Sequence, residues 1–201
     1  MQDLIKKNQS GFTVFELLVS VAIIGMISAL FVVNVGKNAR ENQLDEAVIM
    51  LNNQIRELQN LALSSSQYNG NDVVSWSMIM QQGTGLITIF TDNDSVDPGD
   101  TVYQAGTEHV KDINLPTEVS FSRFSGWSYK TSSNESNKNW LLVFFSLPDS
   151  RAETHIRNNE LSTSNPNSHH TSYAEFTLDH VDGDFVTARI NDYGLFEVID
   201  N

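Results

Sequence analysis

The chain has 201 residues, enough for one medium-sized domain with its own core plus an anchor. Its formal net charge of −13, from 12 basic against 25 acidic residues, argues against a polyanionic partner. With no cysteine, disulfide frameworks and thiol chemistry are excluded, while the compartment stays open.

Residues 12–33 form an apolar run whose only charge is Glu16. At about 1.5 Å per residue it reaches roughly 33 Å, enough for a hydrocarbon core of about 30 Å. Lys6 and Lys7 lie just before it, so the positive-inside bias keeps the short N-terminus cytoplasmic and sends the remainder across. A conventional secretory signal has roughly 7–15 apolar residues and a small-x-small cleavage site. This run is too long, its site is poor, and Glu16 sits near its start. A plain anchor fits the length but leaves Glu16 unexplained: a carboxylate in a membrane helix costs about 2.5–3.5 kcal/mol on insertion scales, less near the interface.

The order Ser10-Gly11-Phe12-Thr13-Val14-Phe15-Glu16-Leu17-Leu18-Val19 resembles the cleavage and methylation motif of type IV pilins and type II secretion pseudopilins. The resemblance implies that a prepilin peptidase cuts after Gly11, that Phe12 is then N-methylated, and that Glu16 neutralises the terminal amine of a neighbouring subunit. Glycine suits the cut because an extended backbone must lie close against the protease. Opposite charges about 4 Å apart attract far more strongly in a poorly hydrated contact than in water. Val14 and Phe15 depart from the Leu and Ile often found in the family. The resemblance further implies a single-pass inner-membrane protein with a cytoplasmic N-terminus and a periplasmic C-terminal domain.

Beyond Val33 the pattern changes without a clear stop, although Asn34 and Gly36 are poor helix formers. Leu44, Ala47, Val48, Leu51, Ile55, Leu58, Leu61 and Ala62 recur at spacings of three and four, one apolar stripe on a helix. Arg40, Glu41, Asp45, Glu46, Arg56 and Glu57 fall mostly on the other side. The irregular spacing and short extent favour packing on a domain over a coiled-coil seam. Ser64-Ser65-Ser66 and Asn69-Gly70 predict the end.

Strands are predicted at 73–80, 86–90, 119–124, 140–145, 173–178, 185–190 and 195–199, with turns at 82–85, 182–184 and 192–194. The Ser/Asn-rich segments 131–139 and 157–172 are predicted as flexible loops. A long helix followed by antiparallel strands defines an α+β fold, pilin-like, with the helix covering one sheet face. The expected organisation is a cleaved leader 1–11, a transmembrane helix 12–33, its amphipathic continuation 34–66, and a periplasmic β-rich domain 67–201.

A narrower resemblance follows. Residues 55–65 look like the helix end of the H-type minor pseudopilins and their type IV pilus relatives. Phe90-Thr91-Asp92-Asn93-Asp94 resembles their acidic turn, and residues 188–195 their late strand-Gly-strand hairpin. This implies a scarce subunit near the tip of a short periplasmic fibre, with other minor pseudopilins and the major pseudopilin as partners. A minor pilin of a type IV pilus is the alternative.

Asp92, Asp94, Asp97 and Asp100 form an oxygen-rich loop of the kind that can hold Ca²⁺. They lack the central Gly and terminal Glu of an EF-hand, and a solvated turn explains them as well. His109, His155, His169, His170 and His180 lack zinc-ligand spacing and are expected in loops. No nucleophile–base order, phosphate loop or carboxylate pair stands out, so neither an enzyme nor a cofactor is expected. Some type IV pilus relatives capture DNA, but residues 175–201 hold seven acidic side chains against Arg189 alone, so no nucleic-acid partner is expected.

Overall fold

The computed structural model describes residues 11–64, 67–93, 103, 108–128, 133–146, 152–157 and 169–200. The chain divides into two compact units, Met1–Ala39 and Arg40–Asn201. One helix, α1 (Val14–Ser64), runs through both, and Asn34 and Gly36 do not interrupt it.

In the first unit every described helical residue from Val14 to Phe31 is exposed. In the second unit α1 carries the predicted stripe. Leu44, Ala47, Leu51, Ile55, Leu58 and Ala62 are buried, with Val48 and Leu61 packed beside them. Glu41, Asp45, Glu46, Arg56 and Glu57 face solvent, and Arg40 is half-buried. At the end of the helix the Ser64 hydroxyl turns back to donate to the Asn60 carbonyl at 2.6 Å, which competes with continued backbone bonding. Asn69-Gly70 forms the turn of a small hairpin, β1 (Gln67–Tyr68) against β2 (Asn71–Asp72), with φ of 50° and 83° at its two central residues. That is the left-handed pair a two-residue hairpin turn requires.

Ten further strands follow: β3 (Ser75–Gln81), β4 (Leu86–Asp92), β5 (His109–Asn114), β6 (Val119–Ser128), β7 (Ser133–Lys138), β8 (Trp140–Ser146), β9 (Ala152–Arg157), β10 (His169–His180), β11 (Phe185–Asn191) and β12 (Phe196–Asp200). Among the described residues they make one antiparallel sheet in the order β12-β11-β10-β9-β8-β3-β4-β5, with β6 paired to β10 and β7 to β6. The fold is α+β, a long helix on a large antiparallel sheet. Met78, Met80, Ile87, Ile89, Phe121, Phe124, Leu141, Val143, Phe145, Phe176, Ala188 and Ile190 close the core with the helix stripe. Strands β3, β4 and β8 are covered on their other face too, where Ile79, Phe90, Leu142 and Phe144 form a second cluster under Tyr103 and Trp140.

Besides the short β1 and β2, three strands of the large sheet lie where none is predicted. Segment 131–139, expected to be a flexible loop, contains β7, which pairs with β6 from Phe124↔Lys138 to Ser128↔Ser133. Its sequence, Ser-Asn-Glu-Ser-Asn-Lys, has no apolar alternation, so backbone pairing holds it rather than side-chain burial. Strands β5 and β9 are likewise mixed in polarity. The five histidines are not loop residues: His109 lies in β5, His155 in β9, and His169, His170 and His180 in β10. His155 and His180 are buried.

Candidate functional site

The N-terminal end of α1 is built by Thr13 and Glu16. The Thr13 backbone N–H and hydroxyl donate to Glu16 Oε2 at 3.0 and 2.9 Å. The Glu16 N–H returns a bond to Thr13 Oγ1 at 3.2 Å. This reciprocal pair is a capping box, satisfying backbone donors that have no partner inside the helix. Unmet donors cost several kcal/mol in hydrocarbon, so the cap gives Glu16 a reason to exist within its own chain. The sequence signal for it is Thr13-Val14-Phe15-Glu16, a Thr-x-x-Glu ahead of an apolar run. The cap engages one oxygen of the carboxylate and leaves the other for a further donor. Gly11 has no heavy atom within 4 Å of where a Cβ would stand, and Phe12 is 84% exposed, so the bond between them is open.

Residues 6–32 match the prokaryotic N-terminal methylation motif. The chain carries a type IV pilin-like prepilin signal. Such a signal implies processing by a prepilin peptidase and partners of the pilin-like kind. The apolar helix is long enough for a single membrane span. No curated protein and no solved structure matches the chain.

Where α1 enters the second unit, a polar clasp holds it to the β10–β11 turn. Arg40 reaches Asp182 Oδ2 at 3.3 Å through Nη1 and Asp184 Oδ2 at 2.8 Å through Nε; the second contact is an ion pair without hydrogen-bond alignment. The His180 ring is 1% exposed. Its Nδ1 accepts the Asp182 N–H at 3.1 Å, which leaves Nε2 to donate to Gln43 Oε1 at 2.9 Å. Glu118, in the left-handed region at φ 75°, brings its Oε2 to 3.5 Å from His180 Nε2, while its backbone carbonyl accepts the Val181 N–H at 3.0 Å. Nothing in local sequence links residues 40, 43, 118 and 180–184.

The far end of the helix meets the β11–β12 hairpin. Gln59 Nε2 donates to the carbonyls of Tyr193 and Gly194 at 3.3 and 3.4 Å. Gly194 has φ +72°, and a Cβ there would run into Gln59 and the Phe145 ring. Asn191 Oδ1 accepts the Tyr193 and Leu195 N–H groups at 3.0 and 2.9 Å, shaping the turn. On the outer sheet face, Arg189 is shared by Glu175 and Glu197 and lies 4.5 Å over the Tyr173 ring. The bond to Glu175 raises the guanidinium's pKa above its ordinary value.

Of the acidic loop, only Asp92 is described; it ends β4 and is buried, while Asp94, Asp97 and Asp100 lie outside the described residues. Among the described residues no group of His, Asp and Glu converges as metal ligands. The Thr88 hydroxyl on β4 donates to Asp112 on β5 at 2.8 Å and lowers its pKa, assisted by His109. Burial against Phe90 raises the pKa of Tyr103, and the charges of Asp112 and Glu108 add to it.

Proposed function

We propose that the chain is a minor pseudopilin of the H type, a subunit of the type II secretion pseudopilus. It helps start or cap the periplasmic fibre together with other minor pseudopilins and the major pseudopilin. The observation that carries this reading is the N-terminal arrangement: an open Gly11–Phe12 bond, a capped Glu16, and a helix exposed on every side as far as Phe31. A helix that is apolar all round requires a membrane or other helices about it. A second observation supports the H type. The two segments that resemble it, residues 55–65 and 188–195, touch each other through Gln59 and Gly194. The working surfaces are the helix and the outer faces of the domain, and the protein acts by assembly, not catalysis.

Coexpression with a prepilin peptidase should yield an intact mass lacking residues 1–11 and carrying one extra methyl group. An uncut N-terminus would remove the reading. Fibre assembly is tested at Glu16. Glu16→Gln keeps a capping oxygen but removes the charge, whereas Glu16→Ala loses both. If the carboxylate pairs with a neighbour's amine, both variants are processed and membrane-embedded yet fail to cross-link to other pseudopilins, since breaking a buried pair commonly costs about 3–5 kcal/mol. Full activity of Glu16→Gln with loss in Glu16→Ala would reduce Glu16 to a cap. Restoration of pilus formation instead of secretion in a deletion strain would move the chain to the minor pilins.

A further inference from the structure

Two edges of the sheet, β5 and β12, are finished differently. At one end β5 presents His109, Lys111 and Asp112, and these charges are paired: Lys111 with Glu57 at 2.9 Å and His109 with Asp112 at 3.2 Å. Charges on an edge strand discourage another chain from adding to it. At the other end, β12 and the residue before it expose Leu195 at 65%, Val198 at 48% and Ile199 at 44%. One register shift, between Thr187 and Ala188, is the only irregularity in its pairing with β11.

The outer face of this edge carries an ordered row of charge. Pairing aligns Glu175 on β10 with Arg189 on β11, and Arg189 with Glu197 on β12. One guanidinium therefore serves two carboxylates, and the row ends on Glu197, whose side chain is 62% exposed. Two exposed apolar side chains flank Glu197, Leu195 two residues before it and Ile199 two residues after it. Among the described residues the backbone of β12 is equally open. The Asn191 N–H donates to the Leu195 carbonyl at 3.1 Å. Because antiparallel pairs alternate between bonded and non-bonded positions, Glu197 then bonds back to β11, while Phe196 and Val198 turn their N–H and C=O groups outward.

We propose that the free edge of β12 is a docking edge for an extended segment of another protein, one that places a Lys or Arg opposite Glu197 between two apolar side chains. Such a strand continues the row from anion to cation to anion to cation, and opposite charges directly across a strand pair are favourable. A second copy of this chain is the wrong occupant. It would bring another acidic edge, and residues 175–201 hold seven acidic side chains against Arg189 alone. The proposal rests on the edge and its charges, and it stands whether or not the chain is a fibre subunit.

The test uses the full-length protein in lipid nanodiscs and a labelled nine-residue peptide with capped ends. The peptide has Thr at the even positions and Lys, Val, Arg, Val and Lys at the odd ones. Fluorescence anisotropy should give saturable binding that weakens as salt is raised. Replacing the central Arg by Glu should weaken binding at least tenfold, and Glu197→Lys should reverse that preference. Val198→Pro removes an outward N–H without breaking a bond to β11, so it should abolish binding of both peptides while the melting transition is kept. If Val198→Pro does not fold, the charge reversal at Glu197 decides alone. Absence of saturable binding, equal affinity for the two peptides, or self-association of the chain that the peptide displaces would each overturn the proposal.

Discussion

The two halves of α1 are one continuous helix with opposite relations to their own protein. From Val14 to Phe31 every residue is exposed, whereas from Leu44 to Ala62 one face is buried and the other carries charge. The backbone bonding is the same, so the difference lies in the side chains. The second half has a stripe because a sheet is there to receive it, while the first half is apolar over most of its surface and none of its described residues is buried. A substitution should therefore affect folding in one half and membrane insertion or assembly in the other.

The largest expected contrast is between Ile55→Ala and Ile23→Ala. Ile55 is fully buried between helix and sheet, and removing it should cost about 3 kcal/mol, within the range for large-to-small core changes. Ile23 is 51% exposed, and its truncation should leave the melting of the second unit unchanged. Thermal denaturation followed by circular dichroism compares the two. Equal losses would mean that the exposed half contributes to the fold.

Glycines sharpen the same contrast. Gly194→Ala imposes a side chain at φ +72° against Gln59 and Phe145 and should cost about 1–3 kcal/mol. Gly25→Ala meets nothing within 4 Å and should be silent in the same denaturation assay.

The clasp at Arg40 marks where the second unit takes hold of the helix. Its partners Asp182 and Asp184 are 54% and 39% exposed, so Arg40→Ala should cost no more than about 1 kcal/mol. Hydrogen exchange should show faster opening around residues 40–47 without a change near Ile55. Uniform acceleration along the helix would deny the clasp any local role.

The smallest expected effect depends on pH. Asp112 has a lowered pKa in the folded state, chiefly through the Thr88 hydroxyl. Its stabilising contribution is present above the ordinary aspartate value of about 3.9 and is lost as pH falls through the lower folded value. Thr88→Val should flatten that part of the stability–pH curve for the second unit. Tyr103 acts in the opposite sense. Its raised pKa favours the neutral phenol, so its contribution is lost as pH rises through the folded value, and ultraviolet titration should find one tyrosine ionising late.

Legibility followed locality. The Gly11–Phe12–Glu16 motif, the long helix, its stripe and the apolar strands are written in adjacent residues or at spacings of three and four, because one element's hydrophobic period follows from its own geometry. The capping box is equally local, since Thr13 and Glu16 stand three residues apart at the start of the helix. By contrast β7 has no apolar pattern at all, and β5 and β9 little. They are strands because β6, β4 and β8 offer them backbone partners, and that offer is made only after the chain has folded. His180 became a buried clasp residue in the same way, through Gln43 on a helix 137 positions earlier. The sequence by itself thus determined the processing signal, the helix and the α+β class. The tertiary structure alone decided the strand order, the row Glu175–Arg189–Glu197 and the open edge beyond it, because register across a sheet is set by non-local pairing that no short stretch of sequence encodes.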